Sequence, residues 1–124
     1  MKKISPINLN NKFSIFEETW TPKIIAELNN QYVKLCKLQD DFIWHSHENE
    51  DELFMVIKGT LFIDFKCQDT VEIKEGEIII IPKGVEHRPR TNGEIVFNLL
   101  FEPKATLHTG NTKSKITVEK LKWI

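Results

Sequence analysis

Apolar and polar residues alternate along most of this chain in short runs that are bounded by turn-forming residues. Within residues 31–38, for example, Val33 and Leu35 flank Lys34. A period of two is typical of a β-strand with one buried face. Asparagine tolerates the positive φ of a tight turn, as expected at residues 29–30. The pattern predicts eight short strands, at residues 23–28, 31–38, 42–47, 52–58, 61–65, 71–74, 78–82 and 95–102.

Helical periodicity is sparse. A short helix is expected near Asn8, because Leu9, Phe13 and Phe16 would share one face. No helical segments separate the predicted strands, which argues against a parallel α/β sheet. Many short strands with regular turn signals favour an antiparallel sandwich or barrel. The predicted fold class is therefore all-β, with a short N-terminal helix.

Composition narrows the class of protein. The 124 residues suit one domain, and a formal net charge of -1 gives no basic surplus for nucleic acid. The longest aliphatic run, residues 78–81, is strand-sized, so we expect no membrane span. No apolar stretch follows Lys2 and Lys3, so a signal peptide is not expected. Cys36 and Cys67 then read as free thiols, and the expected location is the cytoplasm.

Histidine spacing supplies the candidate chemistry. His45 and His47 are two residues apart, so on a strand their side chains point the same way. A hairpin through the following polar turn would bring Glu52 towards them, and two imidazoles with one carboxylate suit a divalent cation. His87 follows a different strand, in a predicted turn, and would be the fourth ligand. The alternative interpretation of the histidine pair is a solvated polar edge.

Two spaced motifs weigh against that alternative: H-x-H-x4-E-x6-G at residues 45–59 and G-x5-P-x-G-x2-H at residues 76–87. They resemble the two signature motifs of the cupin superfamily, and the resemblance covers residues 35–101. The family's second motif ordinarily ends in a structural Asn where this chain has Thr91. The short gap between the motifs is similar to that of small single-domain bacterial cupins labelled mannose-6-phosphate isomerase-like.

The resemblance implies a double-stranded β-helix, or jelly-roll barrel, that is often assembled as a homodimer. It would be one domain over residues 1–124, with the barrel at 31–102, N-terminal strands or arm at 1–30 and a tail at 103–124. The family's metal ligands fall on His45, His47, Glu52 and His87. The ion could be Zn, Mn, Fe, Ni or Cu, because these ligand types do not select one.

The expected function is a metalloenzyme acting on a small polar metabolite, either a sugar or sugar-phosphate isomerase or epimerase or an oxygenase. The alternative is a metal-dependent small-molecule binding module without turnover. Arg88 and Arg90 are candidate ligand contacts, because arginine binds carboxylate or phosphate in a bidentate manner. A buried acid or tyrosine inside the pocket that is not a metal ligand would favour the enzyme, whereas Glu102 reads only as a strand end.

Overall fold

The computed structural model describes residues 3–104 and 120–124. No helix in this part of the chain is long and apolar enough to cross a membrane. The described residues contain one short helix and nine strands: α1 (Leu9–Phe13), β1 (Lys23–Leu28), β2 (Gln31–Leu38), β3 (Glu52–Lys58), β4 (Leu61–Phe65), β5 (Val71–Ile73), β6 (Ile78–Ile81), β7 (His87–Arg90), β8 (Val96–Pro103) and β9 (Lys122–Trp123). The predicted all-β fold with a short N-terminal helix is confirmed.

The strands form two sheets. The larger has six strands in the order β6-β3-β8-β2-β1-β9, and the smaller has three in the order β5-β4-β7. Neighbouring strands are antiparallel except β1 and β9. The inward faces pack on each other, with Val56 and Val96 from one sheet and Leu61 and Ile63 from the other completely buried. This apolar core fixes the barrel around the site described below.

The N-terminal segment covers part of the outer face of the large sheet. Asn8 caps α1 by accepting a hydrogen bond from Asn11 N at 2.9 Å. Phe13, at the end of the helix, is 1% exposed and stacks on Phe97 of β8 with ring centroids 4.4 Å apart. Phe13 also clusters with the outward-facing Leu35 of β2. Both faces of β2 therefore carry buried apolar residues, one towards the barrel interior and one towards the N-terminal segment.

Two strand predictions need correction. Residues 42–47 are not a strand, because this segment meets β7 only through isolated bridges at Asp41–Arg90 and His45–His87. Pro89 lies between those bridges and has no N–H to donate, which explains the interrupted ladder. The turn predicted at His87 is also wrong, because His87 opens the strand β7, which pairs with β4.

Candidate metal site

Two facing segments of the chain position the three histidines. His45 and His87 donate backbone hydrogen bonds to each other's carbonyl oxygens, at 3.0 and 2.9 Å. Their imidazole rings lie side by side with centroids 4.4 Å apart. The carbonyl of His47 accepts a hydrogen bond from Gly84 N at 2.7 Å, which ties the first segment to the turn before β7. The backbone thus brings both motifs to one place.

Glu52 completes the group, because it opens β3 with its side chain directed into the barrel. One ligand atom from each of the four residues lies within 4.8 Å of the others. All four residues are at most 4% exposed. We refer to them as the His/Glu group, which consists of His45, His47, Glu52 and His87.

Backbone carbonyls orient two of the rings. His45 Nδ1 donates to the carbonyl of Ile43 at 3.0 Å, and His87 Nδ1 donates to Val85 at 2.9 Å. A carbonyl oxygen only accepts, so in each neutral ring Nε2 carries the lone pair. Yet His87 Nε2 lies 3.2 Å from Glu52 Oε1. Two acceptors at this distance need a proton or a cation between them.

The remaining ring gives the same indication. His47 Nε2 lies 3.2 Å from the same carboxylate oxygen of Glu52 but is buried without an aligned hydrogen bond. Three imidazoles and one carboxylate are ligands that borderline divalent cations accept. The donor chemistry and the unpaired nitrogen therefore fit a divalent metal ion, while the ligand types leave its identity open.

Burial and mutual contact shift the pKa values of the group. Burial, reinforced by the neighbouring His87, lowers the pKa of His45 to about 4. Burial acts the same way on His47, but the Glu52 carboxylate outweighs it and the pKa of His47 is raised. Burial alone would raise the pKa of Glu52, whereas contact with His47 and His87 holds it below its usual value. At neutral pH, His45 is therefore neutral and Glu52 is ionised, as metal binding requires.

A narrow cavity of about 20 Å³ lies against this group. His45, Glu52 and Asn98 contribute polar atoms to its lining, and most of the remaining wall is apolar. Trp20 and Phe42 form part of that wall and stack with centroids 4.5 Å apart. The chemistry available to a ligand here combines the His/Glu group, one carboxamide and hydrophobic contacts.

A buried ion pair lies beside the group. Lys34 Nζ donates to Glu102 Oε1 at 3.0 Å, and both side chains are at most 1% exposed. Leu53 pairs with Phe101, so Glu52 and Glu102 come next in register on the inward face. Burial and then the charge of Glu52 raise the pKa of Glu102 to about 7. Its Oε2 has no hydrogen-bond partner.

Sequence reasoning missed Glu102 and Asn98 as site residues. The signal was present in β8, where polar residues alternate with Val96 and Leu100 on the inward side. The sequence alone predicts Glu102 only as a strand end. A polar residue at an inward position of a strand is informative, because its burial is unfavourable without a partner.

The structure does not bring Arg88 and Arg90 to the His/Glu group. Their side chains alternate with the buried His87 and Pro89 along β7. Both donate to Asp64, Arg88 Nη2 to Oδ2 at 2.8 Å and Arg90 Nε to Oδ2 at 2.9 Å. Burial alone would raise the pKa of Asp64, but hydrogen bonds from Thr70 and then from Arg90 and Arg88 lower it to about 2.

Two further residues are Thr91 and the fourth histidine of the sequence, His108. Thr91 replaces the structural Asn of the second motif, and its Oγ1 accepts a hydrogen bond from Asp40 N at 2.9 Å. The backbone N–H of Thr91 donates to the carbonyl of Asp40 at 3.1 Å. Thr91 therefore joins the end of β7 to the start of the irregular segment. His108 lies outside the described residues.

The barrel and the buried His/Glu group define a cupin. The chain matches the cupin domain family, described as "Cupin domain", over residues 34–111, and it belongs to that family. This confirms the resemblance drawn from the two motifs at the level of the superfamily. The mannose-6-phosphate isomerase-like subgroup is a finer assignment than this match supports.

Three similar proteins illustrate the relationship. The chain is 41% identical over 80 residues to an uncharacterized protein of Bacillus subtilis, YdbB, covering 64% of this chain and 70% of that protein. A cupin-2 domain containing protein from Shewanella frigidimarina is 44% identical, with a TM-score of 0.76 over 79% of this chain and 94% of that one. Protein NMB1881 from Neisseria meningitidis is 32% identical, with a TM-score of 0.72 over 81% of this chain and 100% of that one.

Proposed function

We propose that this cupin binds one divalent metal ion through His45, His47, Glu52 and His87 and acts with it as an enzyme on a small polar molecule. The observation that carries the proposal is the burial of four ligand atoms within 4.8 Å of one another. Without a metal, two lone-pair nitrogens and a carboxylate would face each other in the interior, which is unfavourable. A bound cation would satisfy all of them.

The enzyme is favoured over simple binding by Glu102. It is a buried acid outside the His/Glu group, on the strand next to Glu52, with one unpartnered oxygen. Isomerisation and epimerisation move a proton, which a carboxyl group can accept or donate. Glu102 lies beside Glu52 in the interior, although it does not itself line the cavity. A divalent metal supplies Lewis acidity to a bound oxygen, and iron would extend the chemistry to oxygenation. Isomerase, epimerase and oxygenase therefore stay within the proposal.

The second candidate is metal-dependent binding of a small molecule without turnover. The depth of the site favours it, since the His/Glu group is at most 4% exposed and the cavity is narrow. Turnover requires substrate and product to exchange through this wall, whereas a binding module needs only slow exchange. A catalytic assay against candidate hydroxy-carbonyl compounds separates the two candidates once the metal is known.

Elemental analysis of protein purified without chelator or histidine tag tests the metal proposal. We expect about one equivalent of metal per chain, and a loss of most of it in Glu52→Gln and His87→Ala. Glu72→Gln is the matched control, because Glu72 is an exposed carboxylate on β5. Equal metal content in Glu52→Gln and Glu72→Gln would show that the His/Glu group does not hold the ion.

Three finer assignments belong to the same proposal. The bacterial relatives support a bacterial origin. The mannose-6-phosphate isomerase-like subgroup rests on the short gap between the two motifs alone. The thiols of Cys36 and Cys67 are both free, which fits the expected cytoplasmic location. A homodimer is supported by β6, which among the described strands lies at the edge of the large sheet and has Ile78 and Ile80 58% and 50% exposed.

A further inference from the structure

The cavity beside the His/Glu group is closed. Its volume of about 20 Å³ holds about one water molecule, and the four residues of the group are at most 4% exposed. Eleven described residues line the cavity, and Trp20 is the one among them that is not buried. The half-buried indole of Trp20 therefore separates the cavity from solvent. A small molecule that enters the cavity must first displace part of this wall.

The backbone of Trp20 has a conformation that is unusual for this residue type. Its φ is 55°, in the left-handed region, where the Cβ of an L-residue crowds the following carbonyl. The other described non-glycine residues with a positive φ are Asn29 and Asp40, and their residue types tolerate it more readily. A bulky residue stays in this region only where its surroundings hold it there, and such strain is concentrated at ligand clamps and switch regions. The contacts of Trp20 must therefore explain its conformation.

Two hydrogen bonds and a ring stack connect Trp20 to the barrel. Its backbone N–H donates to the carbonyl of Lys37 at 2.8 Å, and its indole Nε1–H donates to the carbonyl of Gln39 at 2.7 Å. The indole stacks on Phe42, and the ring of Phe42 in turn lies edge-on to His45 with centroids 5.4 Å apart. These contacts hold the indole over the cavity, one residue removed from the His/Glu group.

The segment that carries Trp20 is the part of the wall with the fewest backbone ties. It pairs with β2 through an isolated bridge between Thr19 and Lys37 and not through a ladder, whereas most of the other lining residues lie in paired strands. Release of Trp20 breaks few hydrogen bonds, and it lets the backbone leave the strained region, which offsets part of the loss. Local opening of a protein occurs where few contacts have to break.

We propose that Trp20 is the gate of the metal site: its indole closes the cavity beside the His/Glu group, and its release opens the route by which the ion and a small molecule enter and leave. This inference rests on the proposed function, because it assigns the entry route of the same metal site. Trp20 does not bind the ion in this account. It controls the rate at which the interior exchanges with solvent, as lids and loops do in other proteins.

The first test uses the two thiols of the metal-free protein. Cys36 lines the cavity and Cys67 is exposed, so modification of Cys36 by methyl methanethiosulfonate reports opening, with Cys67 as the internal reference. We expect Trp20→Gly to speed modification of Cys36 about tenfold or more relative to wild type, without changing the rate at Cys67. Glycine adopts the positive φ of position 20 without strain. Trp123→Gly is the matched control, because Trp123 is 52% exposed in β9, and it should leave both rates unchanged.

Trp20→Phe is the second variant, and it carries the test if the glycine variant does not fold. It keeps a ring against Phe42 but lacks the indole N–H that donates to Gln39. We expect its Cys36 to react at a rate between those of wild type and Trp20→Gly. A rate equal to that of wild type in each variant that folds would overturn the inference. So would a rate that rises only in proportion to the globally unfolded fraction, measured by urea denaturation.

The second test measures uptake and release of Co²⁺ through its visible spectrum, with release into excess chelator. A gate that does not contact the ion leaves the difference in free energy between bound and free ion unchanged, so it alters both rates alike. We expect Trp20→Gly to speed uptake and release by the same factor, about tenfold or more, and to keep Kd within about threefold of wild type. Trp123→Gly should match wild type.

The outcomes separate the gate from the metal site. If wild type takes up no Co²⁺, the proposed function fails, and the thiol test still decides whether Trp20 closes the cavity. Unchanged rates of uptake and release in Trp20→Gly would place the entry route elsewhere and overturn the inference while the metal site stands. Faster release with unchanged uptake would show that Trp20 supports His45 as a ligand, which also overturns its role as a gate.

Discussion

At the scale of single residues, the buried Lys34–Glu102 ion pair allows a specific prediction about the free energy of unfolding. The charged ends meet at 3.0 Å with both side chains at most 1% exposed. Breaking such a pair by removing one partner leaves a buried uncompensated charge, which typically costs about 3–5 kcal/mol. We therefore predict that Lys34→Met lowers the free energy of unfolding of the metal-free protein by this amount, measured by urea denaturation at about pH 8.

The double variant Lys34→Met/Glu102→Leu is the companion measurement. It replaces both charges with apolar side chains, and such replacements are often neutral. We expect most of the lost free energy of unfolding to return. The sign with pH is also fixed: the pKa of Glu102, about 7, lies above its ordinary 4.5, so its contribution to stability falls as the pH rises between these values. A double variant as unstable as Lys34→Met would contradict this account.

A second prediction at this scale concerns the pH dependence of metal binding. Protons compete with the metal for imidazole nitrogens. His47 has a pKa raised above 6.5, whereas His45 has a pKa of about 4, so His47 is the first of these two to protonate as the pH falls. We predict that, as the pH is lowered, metal affinity begins to fall while the pH is still above 6.5. Below the pKa of His47 the affinity should drop about tenfold per pH unit. Chelator competition between about pH 8 and pH 5 measures this.

An affinity that stays constant from about pH 8 to pH 6 would contradict the role of His47 as a ligand. The matched comparison is His47→Ala, in which any remaining metal binding should lose this pH dependence. The prediction does not depend on the identity of the ion, since each candidate metal needs a neutral imidazole.

At the scale of elements, the N-terminal helix contributes to stability by covering part of the outer face of the large sheet. Phe13 is 1% exposed and stacks on Phe97, whereas Ile15, two residues later, is 62% exposed. Truncating a buried phenylalanine typically costs about 3–5 kcal/mol. We predict that Phe13→Ala lowers the free energy of unfolding by this amount and that Ile15→Ala changes it by less than about 0.5 kcal/mol, measured by denaturant titration.

The same scale shows what the sequence could and could not predict. Period-two alternation gave the bounds of β1, β2, β3 and β4 correctly, because each of these strands pairs along most of its length. The register shifts in β1 and β3, at Ile24/Ala26 and Val56/Lys58, do not alter those bounds. It failed at residues 42–47, where alternation is present but Pro89 interrupts pairing on the opposite segment. The local pattern carries no information about whether a distant partner can donate a hydrogen bond, and Pro89 is 47 residues from Phe42, with which it pairs. The irregular pairing of this segment could therefore not be predicted.

The His/Glu group and the polar residues beside it also differ in how far the sequence alone could predict them. The spacing of His45, His47 and Glu52 identified candidate ligands, because these residues are close in sequence and follow a family motif. Asn98 and Glu102 acquire their meaning only from the register of β8 against β2 and β3. Their burial without full hydrogen bonding is a property of the assembled barrel, and no spacing rule marks it.

At the scale of the whole molecule, the exposed part of the large sheet bears on assembly. β6 pairs only with β3 among the described strands, and its outward Ile78 and Ile80 are 58% and 50% exposed. An open, apolar edge strand tends to pair or aggregate unless another surface covers it. A second copy of the chain that packs on this edge would bury both isoleucines.

We therefore predict that size-exclusion chromatography with light scattering gives twice the 14.5 kDa mass of the chain. Ile78→Lys/Ile80→Lys places two charges on the proposed interface and should shift the mass to that of a monomer, because buried unpaired charges oppose association. Ile15→Lys is the matched control, since Ile15 is equally exposed on the N-terminal segment and lies outside β6. A wild-type monomer would remove the dimer from the proposal, and a dimer that survives the double substitution would place its interface elsewhere.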